Sequence, residues 1–189
     1  MKSHILNALK LTLCCIVFLG VLYPLAMLGV GKVVAPNGGK GETVEVNGRV
    51  VGYHRVGQNF DEDRYFWSRP SAVGYNAAGS GGSNKGPGNP DYLATVQARL
   101  DTFLVHHPGI HANQVPAELL TASGSGLDPH LSPQGALVQV ARIARVRGIS
   151  EDRLRQLVNE HTEGPLLGLF GTSTVNLLEL NLALDALKN

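Results

Sequence analysis

The sequence predicts an α+β chain: one N-terminal transmembrane helix, then a small domain built from a β-hairpin or small sheet followed by several helices. Three observations predict it. No side chain is charged between positions 11 and 31, alternating apolar residues flank Asn47-Gly48, and beyond Asn89 apolar residues recur at helical spacing behind capping residues.

Lys10 and Lys32 bracket 21 uncharged residues. A helix of that length reaches roughly 30 Å, the thickness of the bilayer's hydrocarbon core. A lone segment in lipid must be helical, because only a helix pairs all its backbone groups internally. The run is too long for the core of a cleaved signal peptide, and Gly31-Lys32-Val33-Val34-Ala35 makes a poor cleavage site. Leu13 before Cys14 does not suit a lipoprotein signal, and apolar residues all round the cylinder argue against a core helix of a soluble protein. Pro24 removes a backbone donor inside the span and is expected to bend it and free one carbonyl. Gly20, Gly29 and Gly31 leave room for another helix to approach. The expected organisation is therefore an N-terminal tail at 1–10, a span at 11–34, a Pro/Gly linker at 35–42 and a folded head at 43–189.

Charge gives the orientation. Lys2, Lys10 and the terminal amine precede the span and Lys32 and Lys40 follow it, a small bias toward a cytoplasmic N-terminus and an extracytoplasmic head. Residues 35–189 hold 13 of the 16 basic residues and all 15 acids, a formal charge of −2, and have no cysteine. That suits an oxidising exterior. The near balance of charge excludes nucleic-acid binding as the main theme. Two cysteines, both in the span, exclude a disulfide scaffold and a four-cysteine zinc site.

In the head, Thr43-Val44-Glu45-Val46 and Arg49-Val50-Val51 flank the Asn-Gly of a type I′ hairpin, and residues 53–60 suggest a third strand. Residues 74–89, rich in Gly, Ser and Asn, form a long loop. Asn89 and Pro90 open a helix with Leu93, Val96, Leu100, Phe103 and Leu104 on one face, and Pro108 stops it. Ser132-Pro133 opens the next, with Leu137, Val140, Ala141 and Ala144 inward, Arg142, Arg145 and Arg147 outward, and Gly148 at its end. Ser150 caps a third, with Leu154, Leu157, Val158 and His161 inward. The leucines of 175–188 fit a strand or a helix; Asn176 with Glu179 resembles a capping box and favours helix.

Candidate chemistry is sparse. Gly79-Ser80-Gly81-Gly82-Ser83-Asn84-Lys85-Gly86 lacks the second Gly and the Ser/Thr of a phosphate-binding P-loop. Ser80 sits in an approximate nucleophile elbow, but Gly and Pro follow where that motif needs a helix. An envelope serine hydrolase using Ser80 and a stand-alone solute-binding module stay open as alternatives. His106 and His107 point to different helix faces, Asp128-Pro129-His130 shapes a turn, and Asp61-Glu62-Asp63 reads as a solvated acidic turn in preference to a calcium site. Tyr65, Phe66, Trp67 and Arg69 have the composition of an interface anchor, and a local core plug is the competing reading.

Four segments, in order and spacing, resemble the C subunit of the bacterial Kdp potassium-transporting ATPase. They are Gly57-Gln58-Asn59-Phe60 with Tyr65-Phe66-Trp67-Ser68-Arg69-Pro70-Ser71-Ala72; Tyr75-Asn76 with Ser80-Gly81-Gly82-Ser83-Asn84; Val115-Pro116-Ala117-Glu118-Leu119-Leu120 through Asp128; and Val175-Asn176-Leu177-Leu178-Glu179-Leu180-Asn181-Leu182-Ala183-Leu184-Asp185. The approach Leu169-Phe170-Gly171-Thr172-Ser173-Thr174 departs from the family's Gly-x-Pro-like pattern, and His130 stands where the family varies. The resemblance implies a non-catalytic accessory subunit in the bacterial inner membrane, beside a potassium-channel-like subunit and a P-type ATPase subunit, in contact with lipid. It implies a catalytic chaperone that raises the ATPase subunit's affinity for ATP. It implies no tightly bound cofactor, no metal and no catalytic residue; ATP enters only through the complex. Ser80-Gly81-Gly82 also resembles part of an ABC-type signature, which an extracytoplasmic head could not present to cytoplasmic ATP. The expected partner interface is Pro24 in the span and Tyr65, Phe66, Trp67, Arg69, Ser80, Gly81, Gly82 and Asn84 in the head.

Overall fold

The computed structural model describes residues 2–187. The chain divides into two compact units, Met1–Glu42 and Thr43–Asn189.

The first unit is one uninterrupted helix over Lys2–Val34, long and apolar enough to cross a membrane, with none of its residues buried. Its middle is wound differently from its ends. An α-helix α1 (Lys2–Cys15) passes into a π-helical stretch, Ile16–Leu22, and then into α2 (Tyr23–Val34). Pro24 therefore sits in the first turn of α2, where its missing N–H is least missed. The Tyr23 N–H just before it bonds the Phe18 carbonyl in the wider i→i−5 register. A local change of winding thus precedes the proline. A short turn over Pro36–Gly39 follows, with Asn37 and Gly38 left-handed.

The second unit begins with the expected hairpin. Strands β1 (Thr43–Val46) and β2 (Arg49–Tyr53) pair antiparallel across Asn47 and Gly48, whose φ values of 51° and 74° are what a type I′ turn requires. No third strand extends it among the described residues: the chain makes a single bridge from Tyr53 to Val56, and the Gly57 N–H then bonds the Leu127 carbonyl (2.7 Å). Helix α3 (Pro90–His106) is capped by Asn89, which accepts from Tyr92 N–H (3.1 Å). Most of its expected apolar face is covered, with Val96, Leu100 and Leu104 partly buried. Leu93 is exposed, and of the α3 side chains only Phe103 is buried.

The core forms beyond α3. Helices α4 (Pro133–Leu137), α5 (Val140–Arg147) and α6 (Glu151–Glu160) pack with α7 (Leu177–Ala186) around Leu131, Ala136, Val140, Ile143, Leu154, Val158, Leu180 and Leu184. A three-stranded antiparallel sheet lies among them, in the order β3 (His130–Leu131), β5 (Thr174–Asn176), β4 (Thr162–Glu163). Its registers pair Leu131 with Val175 and Thr162 with Val175. Asn176 does cap α7, accepting from Glu179 N–H, but Glu179 turns away from the cap to meet His54 Nδ1 at 2.8 Å.

The helix expected from Ser132 onward is broken between α4 and α5, and the buried stripe is rotated. Ala136, Val140 and Ile143 face inward, Ala141 faces solvent, and Arg142 is 2% exposed. The bulk of Ile143 sets that phase, and it carries the arginine into the core with it.

Candidate partner interface

The aromatic segment at 63–67 is irregular, so its backbone polar groups must find partners outside any ladder. Three buried side chains supply them, one from α7, one from the turn between α4 and α5, and one from α5. Asn181 of α7 accepts from the Phe66 N–H (2.9 Å) and donates to the Phe66 carbonyl (3.0 Å). Gln139 does the same for Trp67, accepting from its N–H at 2.7 Å and donating to its carbonyl at 3.3 Å. Arg142 donates through Nη2 to the Tyr65 carbonyl (2.9 Å) and to Gln139 Oε1 (2.8 Å), and through Nη1 to the Asp63 carbonyl.

The remaining Arg142 donor, Nε–H, meets His107 Nε2 at 2.8 Å. An arginine cannot accept, so His107 must present a lone pair there and keep its proton on Nδ1, which faces the Phe103 carbonyl at 2.8 Å. The histidine is therefore neutral. Burial pushes its pKa down to about 4, helped by the Arg142 charge and opposed by the bond to Phe103. Burial likewise lowers the Arg142 pKa to about 10, which leaves it cationic at neutral pH. The cation lies 4.7 Å from the centre of the Trp67 ring, and His107 stacks flat on Phe103 at 3.7 Å.

Around this clamp the expected interface residues separate. Phe66 is 0% exposed and belongs to the core, so it is withdrawn from the interface set. Tyr65 and Trp67 are half-buried. The Tyr65 hydroxyl donates to Asp185 (2.9 Å), and burial together with that carboxylate raises its pKa. Arg69, also half-buried, donates to Asp128 Oδ2 at 2.6 Å. Burial alone would raise the Asp128 pKa; hydrogen bonds from His130 and the Arg69 charge outweigh it and hold the carboxyl below its usual range. A cleft of about 370 Å³ opens beside them, lined by Trp67, Arg69, Tyr75, Arg99 and Phe103 among others.

The Gly/Ser loop is laid backbone to backbone against residues 123–128. Ser71 Oγ donates to the Gly126 carbonyl (2.7 Å), and the Gly81 N–H to the Ser125 carbonyl (2.9 Å). Ser80 Oγ donates to the same Ser125 oxygen (3.0 Å), which places its proton on a backbone acceptor where a nucleophile would need a base. Gly126 has φ +68°, and a Cβ there would stand 2.9 Å from the Gly81 carbonyl oxygen. Ser80 and Asn84 are exposed, Gly81 and Gly82 half-buried, and Pro24 is exposed on the apolar helix. No group of three His, Cys, Asp or Glu side chains suited to a metal ion occurs among the described residues.

Arg142, Gln139, Asn181 and His107 escaped the sequence reading. Only the volume of Ile143, set against that of Ala141, could have signalled the true phase of α5.

A family model described as the K+-transporting ATPase c chain, KdpC, matches residues 5–186. The chain belongs to the KdpC family. Relatives bearing the name potassium-transporting ATPase KdpC subunit occur in Flavobacterium psychrophilum, 58% identical over 98% of this chain and 100% of the relative, and in Bacteroides fragilis, 52% identical over 98% of each. Another, from Caldanaerobacter subterraneus, is 42% identical over 97% of this chain and 95% of the relative. The KdpC assignment makes this chain a subunit of a potassium-transporting ATPase, and the one long apolar helix among the described residues fits a membrane location.

Proposed function

We propose that this KdpC chain is a non-catalytic accessory subunit that steadies the potassium pump from the extracytoplasmic side of the bacterial inner membrane. The apolar helix packs beside a channel-like subunit and a P-type ATPase subunit, and the head lies over the ion entrance. The observation that carries this reading is the helix itself: over Lys2–Val34 it is long and apolar enough to cross a membrane, and none of its residues is buried. Ser80, engaged with a carbonyl, gives the hydrolase alternative no support.

An extracytoplasmic head cannot touch cytoplasmic ATP. The chaperone effect on ATP affinity is then allosteric, and it requires that the chain contact the transport states of the pump unequally. Two measurements test this. A reporter fused to the C-terminus is expected to be active only outside the membrane, and cytoplasmic activity reverses the topology. The chain is expected to leave detergent together with two large membrane subunits, and its removal is expected to raise the ATP concentration at half-maximal ATPase rate; recovery of the chain alone refutes the assignment of partners.

A further inference from the structure

One short turn of the head carries four large apolar side chains in solvent. Leu166, Leu167, Leu169 and Phe170 are 70, 82, 80 and 64% exposed. Apolar surface gathered this way marks a contact, and the turn itself indicates what the contact is with. Four of its amides are answered from within: Leu166 N–H donates to the Phe170 carbonyl (2.9 Å), Gly168 N–H to Pro165 (2.9 Å), and Leu169 and Phe170 N–H both to Leu166 (3.1 and 3.0 Å). A segment entering hydrocarbon must bring its own hydrogen bonds, because the medium supplies none. No side chain between Glu163 and Glu179 is charged, so no ion has to leave water. Leu167 holds φ +56°, a left-handed backbone that costs a leucine energy, and it is the most exposed of the four.

The chain's connectivity restricts where this turn can go. Residues 35–42 join the head to the membrane helix, and eight residues span at most roughly 28 Å. The head is thereby confined to the neighbourhood of a bilayer surface, on whichever side it lies.

We propose that the turn at 166–170 is a lipid-inserting tip. Leu166, Leu167, Leu169 and Phe170 enter the boundary between headgroups and acyl chains and give the head a second hold on the membrane. This goes beyond membership of a potassium pump and does not depend on it.

The test uses the full chain in vesicles of phosphatidylethanolamine and phosphatidylglycerol. Cys14→Ser and Cys15→Ser free it of native thiols, and Leu167→Cys carries an environment-sensitive fluorophore. Arg153→Cys, on the exposed face of α6, serves as the control site. Lipids brominated on the acyl chains are expected to quench the probe at 167 about threefold or more beyond the control, as burial of the tip requires. Adding Leu169→Asp is expected to abolish most of that quenching while the unfolding curve stays in place. Equal quenching at both sites, quenching only by headgroup-labelled lipid, or quenching that survives Leu169→Asp each overturns the proposal. A probe at 167 that is shielded only inside the assembled pump, and untouched by brominated chains, assigns the turn to a protein partner and overturns it too.

Discussion

Two irregular stretches of the head carry large apolar side chains and meet opposite fates. The segment at 63–67 is drawn inward, whereas the turn at 166–170 stands in water. Hydrophobicity does not separate them. The difference lies in who satisfies the backbone. Phe66 is buried because Asn181, Gln139 and Arg142 reach across the core to pair the polar groups of its segment. The 166–170 turn pairs four of its amides within itself and needs no partner from the core for them. A stretch is admitted to a protein core by the polar partners waiting there as much as by its own apolar surface.

The sharpest way to break the contrast is to remove the clamp. Arg142→Met strips the Asp63 and Tyr65 carbonyls, Gln139 Oε1 and His107 Nε2 of a buried donor. It is expected to cost about 3–5 kcal/mol, because several buried acceptors lose their donor at about 1–3 kcal/mol each. Denaturant unfolding followed by Trp67, the single tryptophan, reads it directly.

Acid attacks the same node. The unfolded His107 titrates near its ordinary 6.5 and the folded one near 4, so between those values the unfolded chain binds more protons. Stability from this group is complete above about pH 6.5 and falls by about 3 kcal/mol as the pH drops to 4. Asp128, held below its usual range, adds a loss in the same direction at still lower pH. Unfolding midpoints measured from pH 7 to 4 should show the decline, and His107→Gln should flatten it.

Asn181→Ala leaves the Phe66 N–H and carbonyl buried without partners. About 2–3 kcal/mol is the expected loss, with a looser Trp67 environment visible as a red shift in emission. At the other extreme, Leu167→Asp should change stability by no more than about 0.5 kcal/mol, because the residue is 82% exposed and contributes little to the folded core. A large loss there would mean that the turn, like the plug, is held by the fold.

Several features were legible because they are local. The long apolar helix follows from an uncharged run of sufficient length, the hairpin from Asn47-Gly48, and the helix starts from Asn89, Ser132, Ser150 and Asn176, each of which accepts a backbone N–H as a cap should. The inner face of α6 at Leu154, Leu157 and Val158 was also readable, because a short amphipathic helix with strong contrast has only one way to bury itself. Within the candidate site, the sequence left an interface anchor and a core plug open for Tyr65, Phe66, Trp67 and Arg69, and the fold shows Phe66 in the core.

What the tertiary structure alone decided is non-local. Strands β3, β4 and β5 hold two or three residues each, too few for a period to show, and exist only because distant segments pair. The phase of α5 turned on whether a bulky Ile or a small Ala won the core, and an arginine went inward because His107, Gln139 and carbonyls 77 and 79 residues away were there to receive its hydrogen bonds. Sequence by itself determined the elements whose free energy is set within a few turns of chain: the apolar helix, the Asn-Gly hairpin and the caps. Burial of a polar group is a property of its surroundings, and those surroundings are assembled only when the chain folds.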